Sequence, residues 1–417
     1  MSFQQGLSGL NASSKNLEVI GNNVANANTI GAKASRAEFG DLYATAINGT
    51  SIGIGVNLQA VTQQFTQGNI STTDNPLDLA INGNGFFEVS NGSQTLYTRN
   101  GQFQANKDGF ITTNTGLKLV GYPAAKDGTI QPGAAVPLQL PTGGVAPNPT
   151  GRIAVEMNLD SRKATTLPSG TPQVDFSNAK TYNDATSVTV FDAKGQDVAL
   201  TYYFQKSGTD TWNVYATANG TSAKVDAGGN PLPVTSITFP SNGSAPTSPS
   251  GTVPFDVPST TNAAGATTLP ITGIAFDLSG ATQFGSGFGV TKMVQDGYAA
   301  GQLTGVTIEK SGIVMASYSN GQSKAAGQLE LATFRNPQGL SPLGGNLWAR
   351  SFASGDPTVG TPNSGNIGTL QAGSLEESNT DLTGELVDMI TAQRVYQANA
   401  QTIKTQDQVL QTLVNLR

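Results

Sequence analysis

Leu382, Met389, Tyr396, Ile403 and Leu410 recur every seven residues in a stretch that, after Gly384, runs to Arg417 without another Gly or Pro. A sevenfold apolar row is one seam of a helix meant to lie against another, here about 50–60 Å long at 1.5 Å per residue. Asn379 can cap its start through a side-chain oxygen, and Asp381 suits the positive helix end. The companion row four residues on is poorer: Leu386, Gln393, Ala400, Asp407 and Val414. So narrow a seam does not hold a helix up in water by itself. The opposite end of the chain offers the partner, because Phe3, Leu10, Leu17 and Val24 are also seven apart, flanked by Leu7, Ser14 and Gly21. One such row would suit an amphipathic helix capping a globular domain. A row at both ends predicts two terminal helices packing on each other or on neighbouring copies. The expected assembly core is Phe3, Leu7, Leu10, Leu17, Val24, Leu382, Leu386, Met389, Tyr396, Ile403 and Leu410.

Between these ends the composition is that of short strands joined by turns, with 50 Gly and 21 Pro among 417 residues. Hydrophobic residues at 37% permit real cores, and the length allows two to four domains. Charged residues make up 12%, against roughly 25% in an ordinary soluble domain. Asn, Gln, Thr and Ser take their place, as in self-associating structural proteins outside the cell. A net charge of −6 gives no general attraction to nucleic acid or anionic lipid. The chain has no Cys and no His. Disulfides, thiolate metal sites, His-dependent nucleophilic triads and histidine ligands are therefore excluded. The first residues lack a basic segment followed by an apolar run, so no cleaved secretory signal is expected there. No stretch approaches the roughly 20 apolar residues of a membrane span, and no membrane insertion is expected.

After the first helix come Asn22, Asn23, Asn26, Asn28 and Gly31 within Gly21-Asn-Asn-Val-Ala-Asn-Ala-Asn-Thr-Ile-Gly-Ala-Lys33. Taken by itself this is a polar linker of side-chain-capped turns. The segment resembles the signature of the flagellar rod and hook family, which follows the N-terminal helix there as it does here. Further blocks are similar to that family: Pro76-Leu-Asp-Leu-Ala-Ile-Asn-Gly-Asn-Gly-Phe-Phe-Glu-Val89, Tyr97-Thr-Arg-Asn-Gly-Gln-Phe103 and Gly116-Leu-Lys-Leu-Val-Gly-Tyr-Pro123. Near the other end, Leu386-Val-Asp-Met-Ile-Thr-Ala-Gln-Arg-Val-Tyr396 and Ala400-Gln-Thr-Ile-Lys-Thr-Gln-Asp407 carry the same resemblance. The length and the inserted β block make the chain more similar to the hook branch than to the shorter rod members.

The organisation expected is mixed and mainly β: a terminal α-helical coiled coil plus two β-rich domains, the outer one inserted into the inner one. Residues 1–33 hold the N-terminal helix and Asn-rich turn, and 34–70 an extended connector. The inner β domain occupies 71–145 and resumes at 285–358. The outer domain fills 146–284, with strands at Ser187–Phe191, Val198–Phe204 and Trp212–Ala216, and 359–417 is the connector and C-terminal helix. Within the outer domain, residues 228–273 are rich in Pro, Ser, Thr and Gly, which argues for edge strands, long loops and local disorder.

No constellation points to catalysis, a cofactor or a metal. Gly285-Ser-Gly-Phe-Gly289 lacks the strand-to-helix setting and Lys of a phosphate loop. Asp226-Ala-Gly-Gly-Asn230 lacks the acidic spacing of a calcium loop. Glu376-Glu377 reads as negative charge placed before a helix start. Asn91-Gly-Ser93 and Asn219-Gly-Thr221 match a glycosylation sequon, but Asn-Gly is first a turn signal.

Two classes of function remain. The resemblance implies a non-enzymatic structural subunit of a flexible helical tube, passing torque from rod to filament; a distal rod or hook-associated paralogue is the near alternative. An extracellular adhesin or carbohydrate-active protein would also suit the β-rich body, but has no use for paired terminal heptads. For a hook-like subunit the implied partners are further copies, the distal rod protein, a hook cap protein, a hook-length control protein, a hook–filament junction protein and the flagellar type III export apparatus. The implied location is the flagellum, outside the cell. In that family the C-terminal helix lines a channel. Gln393, Gln397, Gln401, Lys404, Gln408, Gln411 and Asn415 follow one another by three or four residues and form a polar stripe. A wall of amides holds a passing chain neither by apolar contact nor by a strong field, and the stripe is the expected lumen face.

Overall fold

The computed structural model describes residues 3–44, 52–125, 127–168, 170 and 172–415. Two compact units emerge: one comprises Met1–Thr142, Gly305–Ser317 and Ser323–Arg417, the other Gly143–Thr304 and Tyr318–Gln322. Mainly β, the chain carries one long helix at each end, α1 (Phe3–Ala25) and α2 (Leu382–Asn415).

In the first unit α1 is followed by an antiparallel ribbon of β1 (Ser35–Ala44) and β2 (Ile52–Gln63), with register shifts at Glu38/Phe39 and Leu42/Tyr43. The expected extended connector is thus a paired ribbon, tied to α1 where Gln5 Nε2 donates to the Gly53 carbonyl at 2.6 Å. Alternating glycines in Ile52-Gly-Ile-Gly-Val56 hide the period-2 signal, because one face of the strand has few side chains to pattern.

The body of this unit is built by strands from the two halves of the chain returning to each other. Leu331–Thr333 pairs with Phe86 and Phe87, Leu347–Ala349 with Tyr97 and Thr98, Thr369–Ala372 with Leu79–Asn82, and Ser374–Glu376 with Ile70–Thr72. In Phe86–Ser90 the side chains alternate, as a pleated strand requires. Phe87 and Val89 join an aliphatic core with Leu79, Ile81, Leu119 and Leu331. Phe86 faces an aromatic cluster with Tyr97, Phe334 and Trp348, whose rings meet edge-on, as ring quadrupoles favour. Gly101 is required where the chain crosses Leu79: an added Cβ would stand 1.6 Å from the Leu79 carbonyl oxygen.

The second unit is a β-sandwich. A four-stranded sheet runs Val253–Val257, Ile271–Thr282, Arg152–Asn158, Gly289–Gln295, and a five-stranded one is formed by Asp184–Phe191, Asp197–Lys206, Thr211–Ala218, Thr221–Ser222 and Thr235–Thr238. One core joins them, with Ile153, Val155 and Met157 from the first and Tyr202, Phe204, Trp212 and Val214 from the second. Tyr202 stacks on Phe276 with ring centroids 4.5 Å apart.

Two expectations are corrected here. The inserted unit does not end at 284, because Gly289–Gln295 pairs antiparallel with Arg152–Asn158. The glycines of 285–289 make a turn inside it, held by Asn158, which accepts from the Phe284 N–H at 2.8 Å and donates to the Ser286 carbonyl at 3.0 Å. Residues 228–273 are not disordered either: Ile237, Phe255, Val257 and Ile271 are buried, so a few apolar residues at strand spacing outweigh the polar composition around them.

Candidate functional site: the terminal helices and the junction beneath them

α1 and α2 lie antiparallel, with Gly6 against Ile403, Gly9 against Asn399, and Asn23 bonded to Glu385. The buried residues of α1 are Gly6, Ser13, Ile20 and Asn23, and among the described side chains of α2 Ala392 is the most enclosed. Small side chains let the helices approach closely. A Cβ added at Gly6 would already stand 3.0 Å from Ile403 Cγ1.

This corrects the expected seam. The buried row Gly6, Ser13, Ile20 stands three residues beyond Phe3, Leu10 and Leu17. Phe3, Leu7, Leu382, Leu386, Tyr396 and Leu410 are left 37–49% exposed. Leu10, Leu17, Val24, Met389 and Ile403 are half-buried. Val387, Ile390, Val395, Val409 and Val414 on α2 are exposed as well. On α2 the row that completes the seam is Glu385, Ala392 and Asn399, not Leu386, Gln393 and Ala400. Sequence periodicity finds apolar rows, but a close helix crossing selects small residues, which carry no hydrophobic signal.

Gln393, Gln397, Gln401, Lys404, Gln408 and Gln411 are all exposed, and the side chain of Asn415 lies outside the described residues. Gln397 and Gln401 sit two residues either side of Asn399, which puts them on the helix face turned away from α1. α1, α2 and β1 border an open groove of about 790 Å³, to which Val19, Ile20, Phe39 and Val395 contribute apolar wall.

The Asn-rich turn ends α1. Asn26 donates from its backbone to the Asn22 carbonyl at 3.1 Å and from Nδ2 to the same carbonyl at 3.0 Å. Asn23 bonds both backbone groups of Ser35 and donates to Glu385 Oε1 at 2.8 Å, which joins α1, β1 and α2 at one side chain. Asn28 is exposed. Gly31 has φ +70° and donates to the Glu376 carbonyl at 2.8 Å, and a Cβ there would meet the Asn100 nitrogen at 2.6 Å.

Beneath the turn lies a junction that the sequence reading missed. Glu376, read from the sequence as negative charge placed before a helix start, is fully buried. Its Oε1 accepts from Lys33 Nζ at 2.6 Å and from the Gly68 N–H at 2.9 Å, and its Oε2 accepts from Arg99 Nη1 at 3.0 Å. Lys33 also donates to the Thr66 carbonyl at 2.8 Å and Arg99 Nη2 to the Gly83 carbonyl at 2.8 Å. Burial pushes the Lys33 ammonium and the Arg99 guanidinium below their usual pKa values, and the Glu376 carboxylate opposes that drift. Asn379 also departs from expectation. It accepts from the Ala34 N–H at 2.7 Å and donates to the Gln64 carbonyl at 2.7 Å, so it clamps the entering and returning segments together. Asp381 caps α2 instead, its Oδ1 accepting from the Thr383 N–H at 3.0 Å. The signal that could have found the junction is scarcity. With 12% charged residues, a Lys, an Arg and a Glu inside apolar and glycine-rich blocks have little reason to be there as surface.

Four family models match the chain. They are described as flagella basal body rod protein over residues 3–33, flagellar hook protein FlgE/F/G D1 domain over 80–177, flagellar basal body protein FlaE D2 domain over 158–298, and flagellar basal body rod FlgEFG protein C-terminal over 371–416. The flagellar hook protein FlgE of Escherichia coli K12 is 41% identical over 424 residues, covering 100% of both chains. That of Brucella suis is 32% identical over 417 residues, covering 100% of this chain and 98% of its own. The crystal structure of Helicobacter pylori flagellar hook protein FlgE2 superposes with a TM-score of 0.52 at 16% identity, over 73% of this chain and 100% of that one, a likeness of fold. Helices paired through small residues, apolar rows left to water and 32–41% identity over the full length to two hook proteins lead to one conclusion: the chain belongs to the flagellar hook protein family.

Proposed function

We propose that this chain is the structural subunit of a flexible helical tube, the flagellar hook, joining rod to filament and passing torque between them. The observation that carries the reading is the pair of terminal helices. They touch through Gly6, Gly9 and Asn399 and leave Phe3, Leu7, Leu382, Leu386, Tyr396 and Leu410 to water. An apolar surface divided over two helices is costly for a lone chain and suits burial between copies. Phe3, Leu7, Leu10, Leu17, Val24 and the Leu382–Leu410 row then form the assembly core between neighbours, except Ile403, which already packs on Gly6 of its own chain. The amide stripe from Gln393 to Gln411 stands clear of the α1 seam and lines the lumen in this reading.

The same reading brings the chain to the surface of the cell through the flagellar type III export apparatus. There it meets the distal rod protein at one end, the junction protein at the other, and the cap and length-control proteins during growth. These partners follow from the role and are proposed with it. No catalytic step is part of it. Purified chain, concentrated and viewed by negative-stain microscopy, is expected to form hollow tubes. Amorphous aggregate, or a monomer at every concentration, would refute the reading.

A further inference from the structure

Phe352 has a relative exposure of 105%, at the tip of a loop that is not slack. The Ser351 N–H donates to Ser354 Oγ at 2.9 Å, Ser354 Oγ donates to the Ser351 carbonyl at 2.9 Å, and the Ala353 N–H donates to Ser351 Oγ at 3.0 Å. Asn336 Nδ2 donates to the Ala353 carbonyl at 3.0 Å, and Ser354 is buried. Gly339 lets the loop close down, since a Cβ there would fall 2.5 Å from the Ala353 carbonyl carbon. A loop fixed by this many hydrogen bonds has already lost the backbone freedom that docking of its tip would remove. Beside it, Arg350 and Asp356 form an exposed ion pair.

The inserted unit carries a matching recess of about 280 Å³ on the solvent face of Arg152–Asn158 and Gly289–Gln295. Its floor includes Ala154 and Val294, the latter 49% exposed, and its rim carries Arg152, Glu156, Lys292 and Asp296. Ligand pockets run from roughly 300 Å³ upward, so this recess suits one side chain better than a small molecule. Lys292 and Glu156 face each other at 3.6 Å and are both exposed. Exposed pairs exchange partners at little cost. An incoming Arg350 can meet Glu156 while Asp356 meets Lys292.

We propose that Phe352 of one copy seats in the Val294 recess of a second copy. A knob on one surface and a hole on another make a head-to-tail contact, which propagates into an open helical array instead of closing a dimer. The inference rests on the tube reading above and adds a specific contact to it.

The absence of Cys permits a clean test. Chains carrying F352C and chains carrying V294C are mixed, assembled and mildly oxidised with diamide. A covalent heterodimer is expected from the mixture and a ladder of longer oligomers from the double variant. Dimers from F352C by itself, or tubes without covalent product, would overturn the contact. Failure of the unsubstituted chain to form tubes would overturn the tube reading, and the contact with it. F352A, which removes an exposed side chain and leaves the fold intact, is expected to raise the concentration needed for assembly about tenfold. An unchanged threshold would count against the proposal.

Discussion

Glu376 has no access to water and faces two cations, Lys33 and Arg99, contributed by segments far apart in sequence. Removing one member of such a set leaves buried charge without a counterpart, which costs about 3–5 kcal/mol. Glu376→Gln is therefore expected to lower the unfolding free energy by an amount of that order, read as a lower urea midpoint, whereas Glu377→Gln, at a partly exposed neighbour, should change it little. A second carboxylate has the opposite problem. Glu88 and Glu330 adjoin the facing Phe87–Leu331 pair, and Glu88 Oε2 is buried with no partner among the described residues. Burial first, and then the Glu330 carboxylate, pushes the Glu88 carboxyl up to about 7. Glu330 is raised too, by burial, although the Tyr122 hydroxyl donates to it at 2.8 Å. The folded chain therefore holds a proton on Glu88 that the unfolded chain gives up near 4.5. Stability from this group is fully present below about 4.5 and is lost as pH rises through about 7. Glu88→Gln should gain roughly 1–2 kcal/mol at pH 8, the full shift being discounted for partial exposure, and almost nothing at pH 4.5. Calorimetric melting at both values checks the difference. Neither carboxylate was legible as buried, because a sequence gives the charge of a side chain and not the depth at which topology places it.

At the scale of elements, what carries a period was readable and what depends on close approach was not. The strands Ser187–Phe191, Val198–Phe204 and Trp212–Ala216 were visible as apolar runs between turns, and the structure contains them within Asp184–Phe191, Asp197–Lys206 and Thr211–Ala218. The two helices were visible from their sevenfold rows. Their mutual face was not, because Gly6, Ser13 and Asn399 contribute no apolar signal to find. That face also predicts behaviour. A seam of small and polar residues offsets little of the roughly 1–2 kcal/mol per residue that ordering a chain costs. Amides in α1 and α2 are expected to exchange quickly in dilute monomer and to become protected by orders of magnitude in tubes. Hydrogen exchange with mass spectrometry reads both states, and strong protection in the monomer would oppose the prediction. On the far face of α2, the double change Gln397→Leu and Gln401→Leu should leave tube assembly intact while slowing growth of the filament beyond it. Filaments of normal length would count against a lumen-facing stripe.

At the scale of the whole molecule, the inserted unit, Tyr318–Gln322 apart, begins and ends at one place. Val145 and Gly301 exchange backbone hydrogen bonds at 2.8 and 3.1 Å, so the strands entering and leaving it run side by side. Excising 145–301 and joining the ends is therefore expected to leave the first unit folded. Cutting at 151 and 284 instead would strand Gly289–Gln295 without the partner it pairs with. The excised chain should still build tubes, because the exposed apolar rows of α1 and α2 remain, but tubes of altered bending, which electron microscopy of their curvature would register. Loss of assembly with the first unit intact would place the cohesion in the inserted unit instead. The Glu376 junction has a further consequence, in time. A chain that emerges from its N-terminus presents Lys33 early, Arg99 later and Glu376 only near the end, together with the strand Ser374–Glu376 that closes on Ile70–Thr72. Until then closing the unit would bury two positive charges that nothing neutralises, which favours its staying open. A copy truncated before Glu376 never receives its counter-charge. Such a copy is expected to be cut by protease faster than the full chain, which limited proteolysis of the two side by side would read.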